Sequence, residues 1–276
     1  MKTICIKTNN QMAINYLLNA IDDIKIENIY YSNLKFKIYQ NIIVHYKGIE
    51  FEEFVSSMSK ILSNLTVNIF EDHLLKTIIA HEYFYFDSID RAKILDFIDD
   101  SQDLDDYITK HALLYNIFSS YMYNNNKIFL DGFIPFRIKE YLNFLAEKVD
   151  YAVNRFLIDR EYSEFISLLK LYIQSQESTK NTVHLVYNKE KSILLDENKN
   201  IIDDKSPSFN AKYLSDITFS DNDYALNTLL SIVPRKIYVH LVDTNIDEFI
   251  ETLKLIFEDR IVICANGDVA FWQHFF

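Results

Sequence analysis

The feature of this sequence that most constrains its fold is a long helical pattern of apolar residues between Phe133 and Gln176. In the first half of this segment, six apolar residues recur at alternating steps of four and three, which places them on one stripe of a helix. At the rise of an α-helix, the stripe is about 27 Å long. It consists of Ile138, Leu142, Leu145, Val149, Ala152 and Phe156.

The same pattern predicts that this helix is interrupted. The next two positions of the stripe are the polar residues Asp159 and Ser163, and a second apolar stripe follows out of phase. We therefore predict a break near Asp159–Glu161 and two helices that pack on each other or on a shared sheet. Residues 136–173 would then be a spine against which both ends of the chain fold, leaving no reactive cleft in the middle. The second stripe consists of Tyr162, Phe165, Leu169 and Tyr172.

Shorter patterns on both sides of this region predict strands. Alternating apolar residues favour a strand over Lys2–Lys7 and a hairpin over Ile29–Tyr46 that turns at Gln40–Asn41. A second hairpin is predicted over Thr182–Asp196, and a helix–strand–helix–strand order follows it, which predicts a parallel strand pair with a covering helix. These last elements are Asp221–Ile232, Lys236–Leu241, Asn245–Phe257 and Arg260–Cys264.

These patterns together predict an α+β fold with a helical middle between N-terminal and C-terminal α/β regions that contain short sheets. The expected division is residues 1–70, 71–180 and 181–276, or one integrated domain. The two sets of strands could belong to one sheet or to two.

The composition excludes several functional classes. The formal net charge of −12 disfavours binding to nucleic acid or to anionic lipid, although a local basic patch stays compatible with it. The three glycines, Gly48, Gly132 and Gly267, lie too far apart for a dinucleotide-binding fingerprint, a phosphate-binding loop or a nucleophile elbow. No standard catalytic or nucleotide-binding motif is present, so we lean towards a protein that is not an enzyme and predict no cofactor.

The N-terminal segment lacks the continuous apolar core of a signal peptide, and no segment approaches the ~20 apolar residues of a membrane span. These features predict a soluble, cytoplasmic protein. Cys5 and Cys264 are the only cysteines, and in such a compartment they are expected to be free thiols.

Two acidic or histidine-containing motifs invite a metal-site interpretation. His81 and Glu82 begin like a zinc-protease motif, but Tyr85 occupies the place of the second histidine. An acidic run could hold a hard cation, but it equally well caps the following helix and interacts with its positive N-terminal dipole. We favour the structural reading of both motifs. The acidic run contains Asp99, Asp100, Asp103, Asp105 and Asp106.

Other candidate residues are scattered along the chain. His73 and His111 are isolated, whereas His184 and His240 fall in two predicted strands that could be neighbours, and a metal site there would need a third ligand. Cys264 lacks an adjacent base and is expected to be an inert thiol. A buried or half-buried pair in an orienting role is expected between Arg137 or Arg260 and one nearby carboxylate. The candidate carboxylates are Glu140, Glu258 and Asp259.

Four blocks of the second half of the chain occur in the order found in a known family. They are FRIKEYLNFLAEKVDYAVNRFLIDREYSEFISLLKLYIQSQE, VHLVY, SIVPRKIYVH and LKLIFEDRIVIC. They resemble the YtxC-like sporulation proteins of endospore-forming bacteria over roughly residues 132–264. Members of that family often carry further cysteines after the position of Cys264, which this chain lacks, so no metal or redox role for the tail is carried over.

The resemblance implies a role in sporulation and supplies no catalytic, cofactor-binding or metal-binding residue. We therefore predict a non-enzymatic or regulatory protein that acts through contacts with a protein partner. The alternative is a metal-dependent hydrolase or nuclease-like enzyme built from scattered aspartate, glutamate and histidine residues. A weaker interpretation is peripheral membrane contact through the aromatic C-terminus, and docking of that tail into the protein's own groove is preferred. The tail contains Phe271, Trp272, Phe275 and Phe276.

Overall fold

The computed structural model describes residues 2–24, 28–100, 104–189, 191–202, 220–242 and 246–264. By its contacts the chain divides into two compact units, Met1–Ile158 and Asp159–Phe276, called here the N-terminal unit and the C-terminal unit. Each unit contains one four-stranded sheet, so the strands form two sheets. The predicted α+β class is confirmed, while the division into three ranges stays a prediction.

The sheet of the N-terminal unit has the order β2-β3-β1-β4. Strand β3 is antiparallel to both β2 and β1, and β4 runs parallel to β1. Helix α1 (Gln11–Asp22) joins β1 to β2, and the side chain of Asn10 caps it by accepting a hydrogen bond from the backbone N–H of Ala13. The strands are β1 (Lys2–Thr8), β2 (Ile29–Lys35), β3 (Gln40–Tyr46) and β4 (Lys127–Phe129).

The predicted hairpin is confirmed, but its predicted turn at Gln40–Asn41 is wrong. Asn41 pairs with Leu34 inside the ladder, and the chain reverses over residues 36–39, where the backbone N–H of Phe36 donates to the carbonyl of Tyr39 at 2.8 Å. Two polar residues are tolerated within β3 because they lie near the end of a sheet where neither side chain enters the core.

Helices make up the rest of the N-terminal unit, and their buried residues share one core with the sheet. Between α2 and α3 the helical path contains a π-helical turn over Thr66–Phe70. The helices are α2 (Phe51–Leu65), α3 (Glu71–Glu82), α4 (Ser88–Asp100), α5 (Leu104–Asn124), α6 (Leu130–Arg137) and the first part of α7 (Lys139–Ser175).

The predicted break near Asp159–Glu161 is wrong, because α7 is one continuous helix. After the two polar positions the first stripe resumes in phase, with Ile166 and Ile173 buried. A helix keeps its backbone hydrogen bonds whether or not each position of its apolar stripe is buried, so two exposed polar residues interrupt the stripe without ending the helix. Of the first stripe, all residues are buried except the half-buried Leu142.

The sheet of the C-terminal unit has the order β6-β5-β7-β8. The hairpin of β5 and β6 is antiparallel, and β5, β7 and β8 are parallel, as the strand order predicted for the last pair. Helices α8 and α9 contribute buried residues to a core on one face of this sheet. The elements are β5 (Thr182–Tyr187), β6 (Ser192–Leu195), α8 (Asp221–Ile232), β7 (Lys236–Leu241), α9 (Glu248–Phe257) and β8 (Ile261–Cys264).

Within the described residues, no helix is both long enough and apolar enough to cross a membrane. The aromatic tail with Phe271, Trp272, Phe275 and Phe276 lies outside the described residues.

Candidate functional site

One face of the N-terminal sheet contributes no residue to the core. The strand register places Leu34, Asn41, Lys7 and Phe129 side by side across β2, β3, β1 and β4. These residues are exposed or half-buried, whereas the alternate residues of β1 and β3 are buried. Because successive strand residues point to opposite faces, the core covers only one side. We call the other side the open face; it consists of Thr3, Cys5, Lys7, Tyr30, Ser32, Leu34, Asn41, Ile43, His45, Lys127 and Phe129.

The strands that carry the open face are basic, although the protein as a whole is acidic. They contain four lysines and neither aspartate nor glutamate, while the chain has a formal net charge of −12. A fifth lysine, Lys37, lies in the turn between β2 and β3. Only Lys7 and Lys127 have the register of the open face, whereas Lys2 and Lys35 have that of the core side. The open face therefore carries two lysines and no carboxylate, which is the local basic patch that net charge alone left open. The four strand lysines are Lys2, Lys7, Lys35 and Lys127.

Aromatic rings accompany these cations. The ammonium group of Lys7 lies 4.3 Å from the ring centroid of Tyr39 and 5.7 Å from that of Phe129. The two rings meet edge to face at 5.1 Å. The ammonium group of Lys47 lies 4.9 Å from the ring centroid of Tyr30. Such exposed cation–π contacts are worth about 0.5–1 kcal/mol each, so they orient the lysines without neutralising their charge.

A pocket of about 380 Å³ opens at the turn end of the open face. Its volume falls at the lower end of the range for small-ligand sites. The Oδ1 atom of Asn41 is buried and accepts no hydrogen bond from the described part of the chain. A buried acceptor without a donor costs free energy. The pocket is lined by Lys7, Phe36, Lys37, Ile38, Tyr39 and Asn41.

The C-terminal sheet brings together the two histidines that its strands were predicted to make neighbours. The Nδ1 atom of His184 lies 2.9 Å from the Nε2 atom of His240. One nitrogen of this hydrogen bond must donate and the other accept, so at least one ring is neutral. Burial lowers the pKa of His184, and the charge of Lys199 lowers it further. Both effects favour the neutral imidazole.

The described residues do not group a third histidine, cysteine, aspartate or glutamate with the histidine pair. Cys264 is in register with His240 on the neighbouring strand, but burial raises the pKa of its thiol, which disfavours the thiolate that binds metals. Across the described ranges, no three histidine, cysteine, aspartate or glutamate side chains are grouped to hold a metal ion. Cys5 and Cys264 are both free, as predicted.

A buried ion pair in the N-terminal unit was not anticipated from the sequence. The ammonium group of Lys110 lies 3.0 Å from Oε1 of Glu71, and the hydroxyl of Tyr141 donates to the other carboxylate oxygen. All three residues are buried. Burial raises the pKa of Tyr141, and the neighbouring carboxylate raises it further. Glu71 directly follows the π-helical turn; such turns frequently occur at functional sites.

The predicted acidic cluster does not assemble into a single site among the described residues. Asp106 lies in the first turn of α5 and pairs with Lys148, whose ammonium group is 2.5 Å from Oδ2. Asp105, in the same turn, is exposed. Both carboxylates lie where the helix dipole favours negative charge, whereas Asp103 lies outside the described residues.

The other candidate side chains are dispersed. His81 and Glu82 are exposed at the end of α3, and His73 is exposed in the first turn of the same helix. His111 is half-buried, and burial lowers its pKa, with the charge of Lys110 adding to the effect.

The arginines do not form the predicted pairs with carboxylates. Arg260 donates instead to the backbone carbonyl of Pro234 at 3.2 Å, and Glu258 pairs with Lys170 at 2.6 Å. Arg137 and Glu140 are both exposed.

The second predicted stripe of α7 is present but exposed. Tyr162, Phe165 and Tyr172 are accessible to solvent, and Leu169 is half-buried. Next to them, Leu168 and Leu171 are 65% and 62% exposed. Tyr162, Phe165, Leu169 and Tyr172 follow one another at steps of three, four and three residues, as in the seam of paired helices. We call this set of residues, Tyr162, Phe165, Leu168, Leu169, Leu171 and Tyr172, the exposed stripe.

The two sheets and their helices define an α+β protein, and the candidate sites described above are surfaces. The sequence model of the YtxC-like family matches residues 56–262, three quarters of the chain, and the protein belongs to this family. The matched range begins in α2 and therefore includes β4–β8 but not β1–β3. Neither a curated protein nor a solved structure matches the chain.

Sequence reasoning missed two of these sites for different reasons. The open face had a visible signal, because residues 28–49 contain three lysines and no acidic residue. The contact between Lys110 and Glu71 had none, since 39 positions separate them and only the packing of α3 against its neighbours brings them together.

Proposed function

We propose that this protein is a non-enzymatic or regulatory sporulation protein that acts through contacts with another protein in the cytoplasm of a sporulating bacterium. Membership of the YtxC-like family supports the biological setting. The contact mode rests on one observation, the exposed stripe of α7.

The exposed stripe supports a protein contact because its apolar side chains are exposed to water, and burying them against a partner would be favourable. Leu168 and Leu171 lie on a helix that is already anchored in the core by Ile166 and Ile173. Burying a leucine that is now mostly exposed contributes about 1.5–3 kcal/mol. Contiguous apolar surfaces of this kind mark sites of interaction in soluble proteins, and a helical stripe with this spacing is suited to a partner helix or an apolar groove.

The proposal is tested by making the stripe polar without weakening the helix. Leu168→Gln combined with Leu171→Gln removes two exposed apolar side chains and keeps good helix formers. We expect the yield of heat-resistant spores to fall at least about tenfold, because a loss of about 1.4 kcal/mol in a contact already lowers its affinity by that factor. The melting temperature of the purified variant should stay unchanged.

The matched control changes the polar side of the same helix. Ser163→Gln combined with Ser167→Gln alters two exposed residues in the same turns and should leave the spore yield as in the wild type. If the leucine variant is present at normal levels and also sporulates normally, the exposed stripe does not carry the function.

A further inference from the structure

We propose that the pocket at the turn end of the open face binds an extended, acidic segment of a partner protein. This surface belongs to the N-terminal unit and is independent of the exposed stripe, which lies in the C-terminal unit. The two can therefore be tested separately, and failure of one leaves the other standing.

The sign of the charge identifies the first property of the ligand. Lys7 and Lys37 both line the pocket, and an ammonium group can only donate hydrogen bonds. The open face around them adds Lys127 and neither aspartate nor glutamate. On a protein with a net charge of −12, such a surface favours negatively charged ligands, because its electrostatic potential is complementary to theirs. The ligand therefore presents anionic groups.

A peptide suits the pocket better than an inorganic anion. Its acidic side chains supply acceptors to Lys7 and Lys37. It also carries apolar side chains, which inorganic anions lack.

The remaining walls of the pocket are apolar and exposed. Phe36 and Ile38 project from the turn and are 57% and 70% exposed. They suit aliphatic or aromatic side chains that alternate with the acidic ones, because alternate residues of an extended peptide point to opposite sides. A peptide in which acidic and apolar residues alternate can therefore place its acidic side chains near the two lysines and its apolar side chains near Phe36 and Ile38.

A single-stranded nucleic acid is the competing ligand, because lysines and aromatic rings also bind bases and phosphates. It carries a charge at every nucleotide, however, so its flanking length is repelled by the remainder of an acidic protein. A short acidic peptide places its charges only at the pocket. These features favour the peptide.

The experiment titrates the isotopically labelled full chain with a ten-residue peptide that alternates glutamate and leucine, and follows backbone amide resonances by NMR. We expect the largest shifts at residues 36–41 and at Lys7, with a Kd of about 0.1–1 mM. Raising the salt from about 50 mM to about 500 mM should weaken binding severalfold, because exposed charges are screened.

Matched variants and ligands decide the outcome. Lys7→Gln combined with Lys37→Gln should weaken binding about tenfold, as expected for two partly exposed ion pairs, whereas Lys93→Gln on the exposed side of α4 should have no effect. Equal binding of a peptide with glutamine in place of glutamate would overturn the proposal. Tighter binding of a ten-nucleotide oligouridylate would overturn it in favour of nucleic acid, and the absence of localised shifts at 2 mM peptide, on the order of the weakest Kd expected, would also reject it.

Discussion

The two sheets of this protein differ in how far the face that points away from the main core is exposed to solvent. In the N-terminal sheet, the face away from the core is exposed and carries lysines and aromatic rings. In the C-terminal sheet, the corresponding face contains Val186 and Leu195, both 0% exposed, which form a small cluster of their own with Ile193 and Val242. The first sheet is therefore half-solvated, and the second is buried on both faces at its centre.

The two units also differ in the polar side-chain pairs that they contain. The N-terminal unit encloses an ion pair between Lys110 and Glu71, completed by Tyr141. The C-terminal unit instead joins His184 and His240 by one hydrogen bond in which at least one ring is neutral. A charged pair and a pair that shares a proton respond differently to substitution and to pH.

This comparison teaches that the burial pattern of a strand reports how many of its faces are covered. Strands β1 and β3 alternate between buried and half-buried residues, which is typical of a sheet with one solvated face. Strand β5 ends in three successive buried residues, which is typical of a sheet covered on both sides. A face left open under this rule is available for binding.

The largest effect is expected from breaking the buried ion pair. Glu71→Gln keeps the shape of the side chain but removes the carboxylate that pairs with the buried ammonium group of Lys110. We expect a loss of about 3–5 kcal/mol in the free energy of unfolding of the N-terminal unit, measured by urea denaturation. Lys110→Met added to Glu71→Gln should recover a large part of the loss, because it removes the other charge of the buried pair. A single variant as stable as the wild type would show that the pair is not effectively buried.

The next effect tests the contrast between the two faces with one substitution at two places. Leu195 and Leu34 both lie on edge strands of their sheets, on the sides away from the main cores. Leu195→Ala should cost about 2–5 kcal/mol, as for a buried leucine, and Leu34→Ala less than about 1 kcal/mol. Denaturation of the two variants side by side measures both values. Similar losses would contradict the proposed difference between the sheets.

A smaller effect is expected from pH. Because burial and Lys199 lower the pKa of His184 below 6.5, the unfolded chain binds more protons than the folded chain as the pH falls through that value. The free energy of unfolding should therefore decrease from pH 7 towards the lowered pKa, and hydrogen exchange of β5 and β7 should accelerate. The pKa of His111 in the other unit is also lowered, so part of the pH dependence comes from His111. The variant His184→Gln serves as the reference that removes the contribution of His184. This variant should show a flatter pH dependence in β5 and β7 only.

The smallest effect concerns the role of the lysines on the open face. Lys7→Gln removes the cation from the rings of Tyr39 and Phe129, which should cost no more than about 1 kcal/mol of folding free energy. A thermal melt of the purified variant checks this value. A larger loss would mean that Lys7 is part of the structural framework, and the open face would then be less free to serve a partner.

Much of the fold was predictable from local patterns. The hairpin of β5 and β6 and the parallel pair of β7 and β8 follow from short-range sequence signals. The break in α7 was predicted wrongly, because polar residues at Asp159 and Ser163 were taken to end a helix when they only interrupt one stripe. The pattern of Tyr162, Phe165, Leu169 and Tyr172 was visible, but its exposure was not.

Residue type and spacing along the chain are sufficient to predict many of the helices and strands, the acidic net charge and the family. The arrangement of the described strands in two sheets, the open face of the first sheet and the contact between Lys110 and Glu71 become visible only in the folded chain. Burial and pairing depend on which segments pack together across long separations. An apolar stripe has the same spacing whether it meets a core or faces water.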